Sequence, residues 1–174
     1  MFKYQIGKIP SKDTAKSMIN KLISAVSFSD IDEFHKFMAG FKSSDDIFFK
    51  HADILCEKIK SEKGFLDSFD FFVFVPSTTN YSKKLAEYIS AKLGKPCKNG
   101  ILQKIKSTRE LKTLPRQERA KEIKNSFTAR LKGGERICVV DDVSASGATL
   151  NEISSAFKKA GAPHVCAVVA AILF

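Results

Sequence analysis

The chain has 174 residues, 44% of them apolar, with 29 Lys and Arg against 19 Asp and Glu for a net charge of +10. That length sustains one compact domain with its own core and leaves little room for a second, and without an apolar run of about 18 residues no helical membrane span is expected. Cys56, Cys97, Cys138 and Cys166 are widely spaced and the three histidines are unclustered, which argues against zinc.

The opening Met1-Phe2-Lys3-Tyr4 lacks the apolar stretch of a signal peptide, so a cytoplasmic location is expected. Residues 2–9 read as a short strand ended by Pro10, and Ser11-Lys12-Asp13 as a helix start. Ala15, Met18, Ile19, Leu22, Ile23 and Val26 follow at helical spacing. After a turn at 27–30, Phe34, Phe37, Met38 and Phe41 continue the helical pattern, with Gly40 as a point of interruption. A second helix is predicted over about 44–60, with Ile47, Phe48, Ala52, Leu55, Cys56 and Ile59 on its apolar side. His35 and His51 are lone histidines in these patterns and read as structural or exposed. Residues 1–65 are therefore expected to form a mostly helical N-terminal cap or hood, and residues 66–174 an α/β core.

Phe71 to Val75 is a buried-strand run stopped by Pro76. Ser77-Thr78-Thr79-Asn80 follows, then a helix carrying Leu85, Ala86, Tyr88, Ile89 and Leu93 that ends at Gly94. Segment 83–136 holds sixteen Lys or Arg against five acids, so the whole positive excess lies there. Such a segment can neutralise a polyphosphate or bind nucleic acid. Ile101 to Ile105 reads as an edge strand, and the sparse apolar residues around it suggest an exposed arm or lid.

Ile137 to Val140 is a second β-branched run, stopped by Asp141 and Asp142. Two adjacent carboxylates are poor core residues and suit the rim where an open α/β sheet binds ligands. Ser144 to Thr149 is small, hydroxylated and flexible, and it leads into a helix with Leu150, Ile153, Phe157 and Ala160 on one side. Gly161-Ala162-Pro163 ends that helix, and Val165 to Phe174 forms a last apolar strand. Cys138 and Cys166, inside the strands, read as small buried apolar residues. The alternation after residue 70 predicts a single α/β domain with a mostly parallel central sheet flanked by helices.

The loop at Ser144, Ala145, Ser146, Gly147, Ala148 and Thr149 has the makings of a phosphate cradle: clustered amides, a glycine free to take positive φ, hydroxyl donors and the positive end of a helix. It is not a P-loop, which needs lysine where Ala148 stands. Carboxylates beside a phosphate would repel it, so Asp141 and Asp142 should face hydroxyls or a metal ion. A ribose 5-phosphate meets both demands.

The segment Val139 to Thr149 resembles the phosphoribosyl pyrophosphate (PRPP) signature of type I phosphoribosyltransferases. Phe41-Lys42-Ser43-Ser44-Asp45, Val75-Pro76, Leu102-Gln103-Lys104 with Thr108, Glu118-Arg119, Ile123 and Ser126-Phe127 resemble, in order, landmarks of the competence-associated ComF-like branch. This chain has Ser77-Thr78-Thr79-Asn80 and Glu122 where that branch carries Arg-Gly-Phe-Asn and Asn, and it lacks the branch's zinc-binding cysteines.

The resemblance implies Mg2+-dependent transfer of ribose 5-phosphate from PRPP to an acceptor, expected to be a nitrogenous base, with release of pyrophosphate. It assigns Asp141 and Asp142 to the ribose hydroxyls and Mg2+, and residues 144–149 to the 5-phosphate. Ser77, Thr78, Thr79, Asn80 and Lys83 fall to the pyrophosphate, and Lys104, Arg109, Arg116 and Arg119 to a mobile arm that closes over it. The partners it implies are PRPP and a small-molecule acceptor, with no membrane, nucleic acid allowed through segment 83–136, and a homodimer allowed. The alternative is a PRPP- or nucleotide-sensing, nucleic-acid-binding regulator that uses the same pocket without turnover. No general base can be named from the sequence.

Overall fold

The computed structural model describes residues 19–107 and 114–174. Four strands form the central sheet: β1 (Leu22–Phe28), β2 (Phe71–Phe74), β5 (Ile137–Ser144) and β6 (Val165–Leu173), in the spatial order β1-β6-β5-β2. All of its pairings are parallel. Helices α1 (Ile31–Ser43) and α2 (Asp45–Ser61) connect β1 to β2, and α5 (Ala148–Lys159) connects β5 to β6. Between β2 and β5 lie α3 (Tyr81–Leu93), β3 (Leu102–Lys104), α4 (Arg116–Ile123) and β4 (Phe127–Ala129), with β3 and β4 paired antiparallel as a separate ribbon.

Because side chains alternate along a strand, each sheet face carries its own core. On β5, Cys138 and Val140 enter one core with Phe41, Phe48, Leu55, Ile59, Leu85 and Ile89 of α1, α2 and α3. Ile137 and Val139 enter the other, against Leu150, Ile153 and Phe157 of α5 and against Leu102 and Phe127 of the ribbon. A parallel sheet covered on both faces explains why its strands read as continuous apolar runs. The expected α/β architecture, with a parallel sheet flanked by helices, is what the chain adopts.

Three local expectations are corrected. Leu22 to Val26, which the spacing assigns to a helix, belongs to β1 and pairs with β6 from Leu22↔Ala167 to Phe28↔Leu173. The N-terminal 65 residues therefore supply a strand of the central sheet as well as two helices. Asp141 and Asp142 do not stop their strand, because β5 runs on to Ser144, paired with Ile172. Gly40 lies inside α1 and does not interrupt it; a Cβ there would come within 3.1 Å of Ile47 Cδ1, so the glycine lets α1 and α2 approach closely. The strand expected over 2–9 and the helix start at 11–13 lie outside the described residues. Among the described residues, no helix is long and apolar enough to cross a membrane.

Candidate functional site

Parallel pairing from Phe71↔Ile137 to Phe74↔Val140 brings the carboxyl ends of β2 and β5 together. Val75 extends the contact by donating its N–H to the Val140 carbonyl at 3.0 Å. The two strand–loop–helix units, β2 into α3 and β5 into α5, thus open on one crevice, where α/β sheets hold their ligands.

Asp141 is 7% exposed, deeper than a rim residue, and its burial is compensated. Ser82 Oγ, in the first turn of α3, donates to Asp141 Oδ1 at 2.9 Å, and the Asp142 N–H donates to the same oxygen at 2.9 Å. Burial, and then the neighbouring Asp142 carboxylate, still hold the Asp141 carboxyl well above the usual carboxylate range. Asp142 points to the opposite partner: Lys42 Nζ, from the last turn of α1, lies 2.7 Å from its Oδ2. Lys42 is in turn fastened to Tyr81, whose hydroxyl donates to the Lys42 carbonyl and whose ring centroid lies 5.5 Å from the ammonium.

The cradle begins at Ser144, buried at the end of β5. Gly147 has φ 72°, a left-handed conformation that side-chain-bearing residues rarely adopt, and it turns the chain directly into α5. Ser144 to Leu150, with Val143 and Arg119 of α4, line a cavity of ≈ 180 Å³. That is smaller than a pocket for a whole drug-sized ligand, about 300 Å³ or more, and suits one small anionic end of a larger molecule. Arg119 reaches it while its Nε donates to the Leu114 carbonyl at 3.0 Å.

The helix starts differ in how their first amides are satisfied. The starts of α1 and α2 are closed by side chains: Asp30 accepts from the amides of Asp32 and Glu33, and Ser44 from that of Ile47. None of α3, α4 and α5 has a side-chain cap bond at its N-cap residue, and of these α3 and α5 start at the crevice. The Ala148 amide donates to Ser146 Oγ at 3.4 Å, as long a bond as the one from Ile47 to Ser44 at α2. Two helix termini left open toward one crevice are suited to anions.

The loop before α3 is exposed from Ser77 to Asn80. Ser77 Oγ lies 3.2 Å from Thr79 Oγ1 and accepts from the Thr79 amide at 3.3 Å, while Asn80 takes a left-handed φ of 57°. Lys83 faces Glu87 one turn along at 3.8 Å. Of the four arm residues, Lys104 ends β3 on an exposed surface, Arg109 lies outside the described residues, and Arg116 begins α4 with its side chain outside the description. Arg119 meets the 144–149 cradle and is not on the 77–80 loop.

The structure adds Lys42, Tyr81 and Ser82, which sequence reasoning did not assign to the site. Lys42 stood inside the Phe41–Asp45 landmark; Ser82 carried no signal beyond opening a helix after a polar loop. Burial pushes the Cys56 and Cys97 thiols up to about 11, which keeps them neutral and poor as nucleophiles near pH 7. Among the described residues no three His, Cys, Asp or Glu are grouped to hold a metal ion.

No family model matches the chain. It is 32% identical over 90 residues to competence protein F of Haemophilus influenzae, a match spanning 49% of this chain and 39% of that protein. Over that stretch the chain is similar to competence protein F. The chain thus spans well under half the length of that relative. Its fold is also similar to that of a purine phosphoribosyltransferase from Pyrococcus horikoshii, with TM-score 0.45 and 22% identity over 72% of each chain. UMP synthase of Leishmania donovani is similar too, with TM-score 0.44 and 19% identity over 74% of this chain and 23% of that one.

Proposed function

We propose that this chain is a phosphoribosyltransferase that binds PRPP in the crevice between β2 and β5 and passes its ribose 5-phosphate to a nitrogenous acceptor, releasing pyrophosphate. One observation carries the reading: two adjacent acids at the end of β5 stand immediately before a glycine-turned, uncapped helix start, and a second uncapped start lies beside them. A ligand with hydroxyls in its middle and anions at both ends is complementary to that order of groups.

In this reading Asp141, held by Ser82, and Asp142 accept hydrogen bonds from the ribose hydroxyls. The amides and hydroxyls from Ser144 to Thr149 take the 5-phosphate, with Arg119 adding charge. Residues 77–80, Lys83 and the start of α3 take the diphosphate. The donor set fits Mg2+, which is commonly bound by one or two carboxylates with phosphate oxygens and water completing its shell. Asp141 and Asp142 would hold it, and when bound it neutralises charge on the departing diphosphate. The protein lowers the barrier by fixing the ribose relative to the acceptor and by placing preorganised amides where negative charge collects.

The test is thermal unfolding with PRPP and Mg2+. At about 100 times Kd the midpoint should rise by roughly 5 to 10 °C, and D141N/D142N should abolish the shift. Pyrophosphate release with a panel of bases then identifies turnover. A chain whose midpoint ignores millimolar PRPP does not have this function.

A further inference from the structure

Lys42 is placed in a way that its own helix does not require. A lysine in a last helical turn ordinarily serves that helix's carbonyls and dipole. Lys42 instead sends its ammonium to Asp142 at 2.7 Å, far along the sequence. Its backbone is tied down by the Tyr81 hydroxyl and its ammonium sits 5.5 Å from the Tyr81 ring centroid. Tyr81 opens α3 directly after the 77–80 loop. One long, flexible cation therefore stands between that loop and the acid pair.

The pairing with Asp142 is suited to exchange. The two side chains are 36% and 13% exposed, and a partly solvated ion pair of that kind contributes only about 0–1 kcal/mol. A diphosphate brings several negative oxygens and competes strongly for an ammonium. Asp142, for its part, can offer Oδ2 in full to a ribose hydroxyl or a divalent cation only once the ammonium has turned away from that oxygen. A single side-chain rotation meets both needs, because the Tyr81 contacts anchor the Lys42 backbone while its four-carbon stem remains free to swing.

We propose that Lys42 binds the diphosphate of the substrate, and that its pairing with Asp142 is the resting position of the same ammonium. The inference rests on the reading of this crevice as a PRPP site. It separates the two halves of the ligand: pyrophosphate needs Lys42, whereas ribose 5-phosphate competes with it for Asp142 Oδ2.

Calorimetric titration of the full chain with pyrophosphate and with ribose 5-phosphate, each with Mg2+, tests this. K42M and K42Q should weaken pyrophosphate binding about tenfold or more and leave ribose 5-phosphate unchanged or tighter. K42R should recover most of the pyrophosphate affinity. K60M, which removes an exposed lysine paired only within its own helix, should change neither, and circular dichroism confirms that each variant is folded. Unchanged pyrophosphate affinity in folded K42M or K42Q overturns the proposal. So does an equal loss for both ligands, the signature of a lysine that only fastens Asp142. A wild-type chain that binds PRPP while the variants bind pyrophosphate normally sinks Lys42 alone, whereas one that binds none of the three ligands sinks the underlying reading with it.

Discussion

Ser82 Oγ donates to Asp141 Oδ1 at 2.9 Å, joining the first turn of α3 to the end of β5 beneath the crevice. Both residues are buried, so the bond fixes the helix carrying the 77–80 loop relative to the strand carrying the acids. Ser82→Ala leaves Asp141 with only the Asp142 amide, a loss of about 1–2 kcal/mol. PRPP affinity should fall with it, because the carboxylate loses its orientation. Urea unfolding and PRPP titration of the same variant check both effects.

Asp141→Asn should separate stability from binding. The folded chain holds the Asp141 proton more readily than the unfolded chain, whose carboxyl titrates near the ordinary 3.8. The stability associated with that raised value is therefore complete in acid, below the unfolded value, and is lost as pH climbs toward the folded one. Asparagine keeps an oxygen for Ser82 and carries no charge. The variant should be more stable than wild type near neutral pH by about 1 kcal/mol, with the advantage vanishing below about pH 4. PRPP binding should disappear. A variant less stable than wild type at every pH contradicts the account of Asp141 as a desolvated charge.

Arg119 and Lys42 should have opposite ligand preferences. Arg119 lines the 144–149 cavity, so Arg119→Gln should weaken ribose 5-phosphate about tenfold and affect pyrophosphate little. Titrations at two salt concentrations check the ionic origin, since the wild-type advantage shrinks as salt rises. Equal weakening of both ligands would return Arg119 to the arm over the diphosphate that the sequence assigned it.

Gly147→Ala tests the turn itself. At φ 72° an alanine is strained by about 1 kcal/mol, and relief of that strain turns amides away from the cradle. The unfolding midpoint should drop by only a few degrees, while ribose 5-phosphate affinity falls severalfold. A normal affinity would mean that the cradle's geometry does not depend on this residue.

Most elements were legible because their apolar patterns had contrast. The helix at 81–93 shows one apolar side and ends at Gly94 with φ 66°. Leu22 to Phe28 misled because a strand buried on both faces has no polar beat, and its residues happened to match helical spacing as well. For the acids, the sequence supplied their identity and neighbours. The depth of Asp141 and the extension of β5 to Ser144 depend on Ser82 and on β6, which no local pattern reveals. Lys42 was hidden for the same reason: its partner is a long-range contact between α1 and β5.

The order β1-β6-β5-β2 places the strand that comes last in sequence in the interior of the sheet. While the polypeptide is being synthesised, β1 has no strand partner among the described residues until residues 165–173 emerge, and the phenylalanines of α1 and α2 wait over an incomplete floor. The sheet therefore cannot close before β6 takes its place between β1 and β5. The nascent chain meets the cell with its apolar face open until that moment, when aggregation or chaperone capture competes most directly with folding.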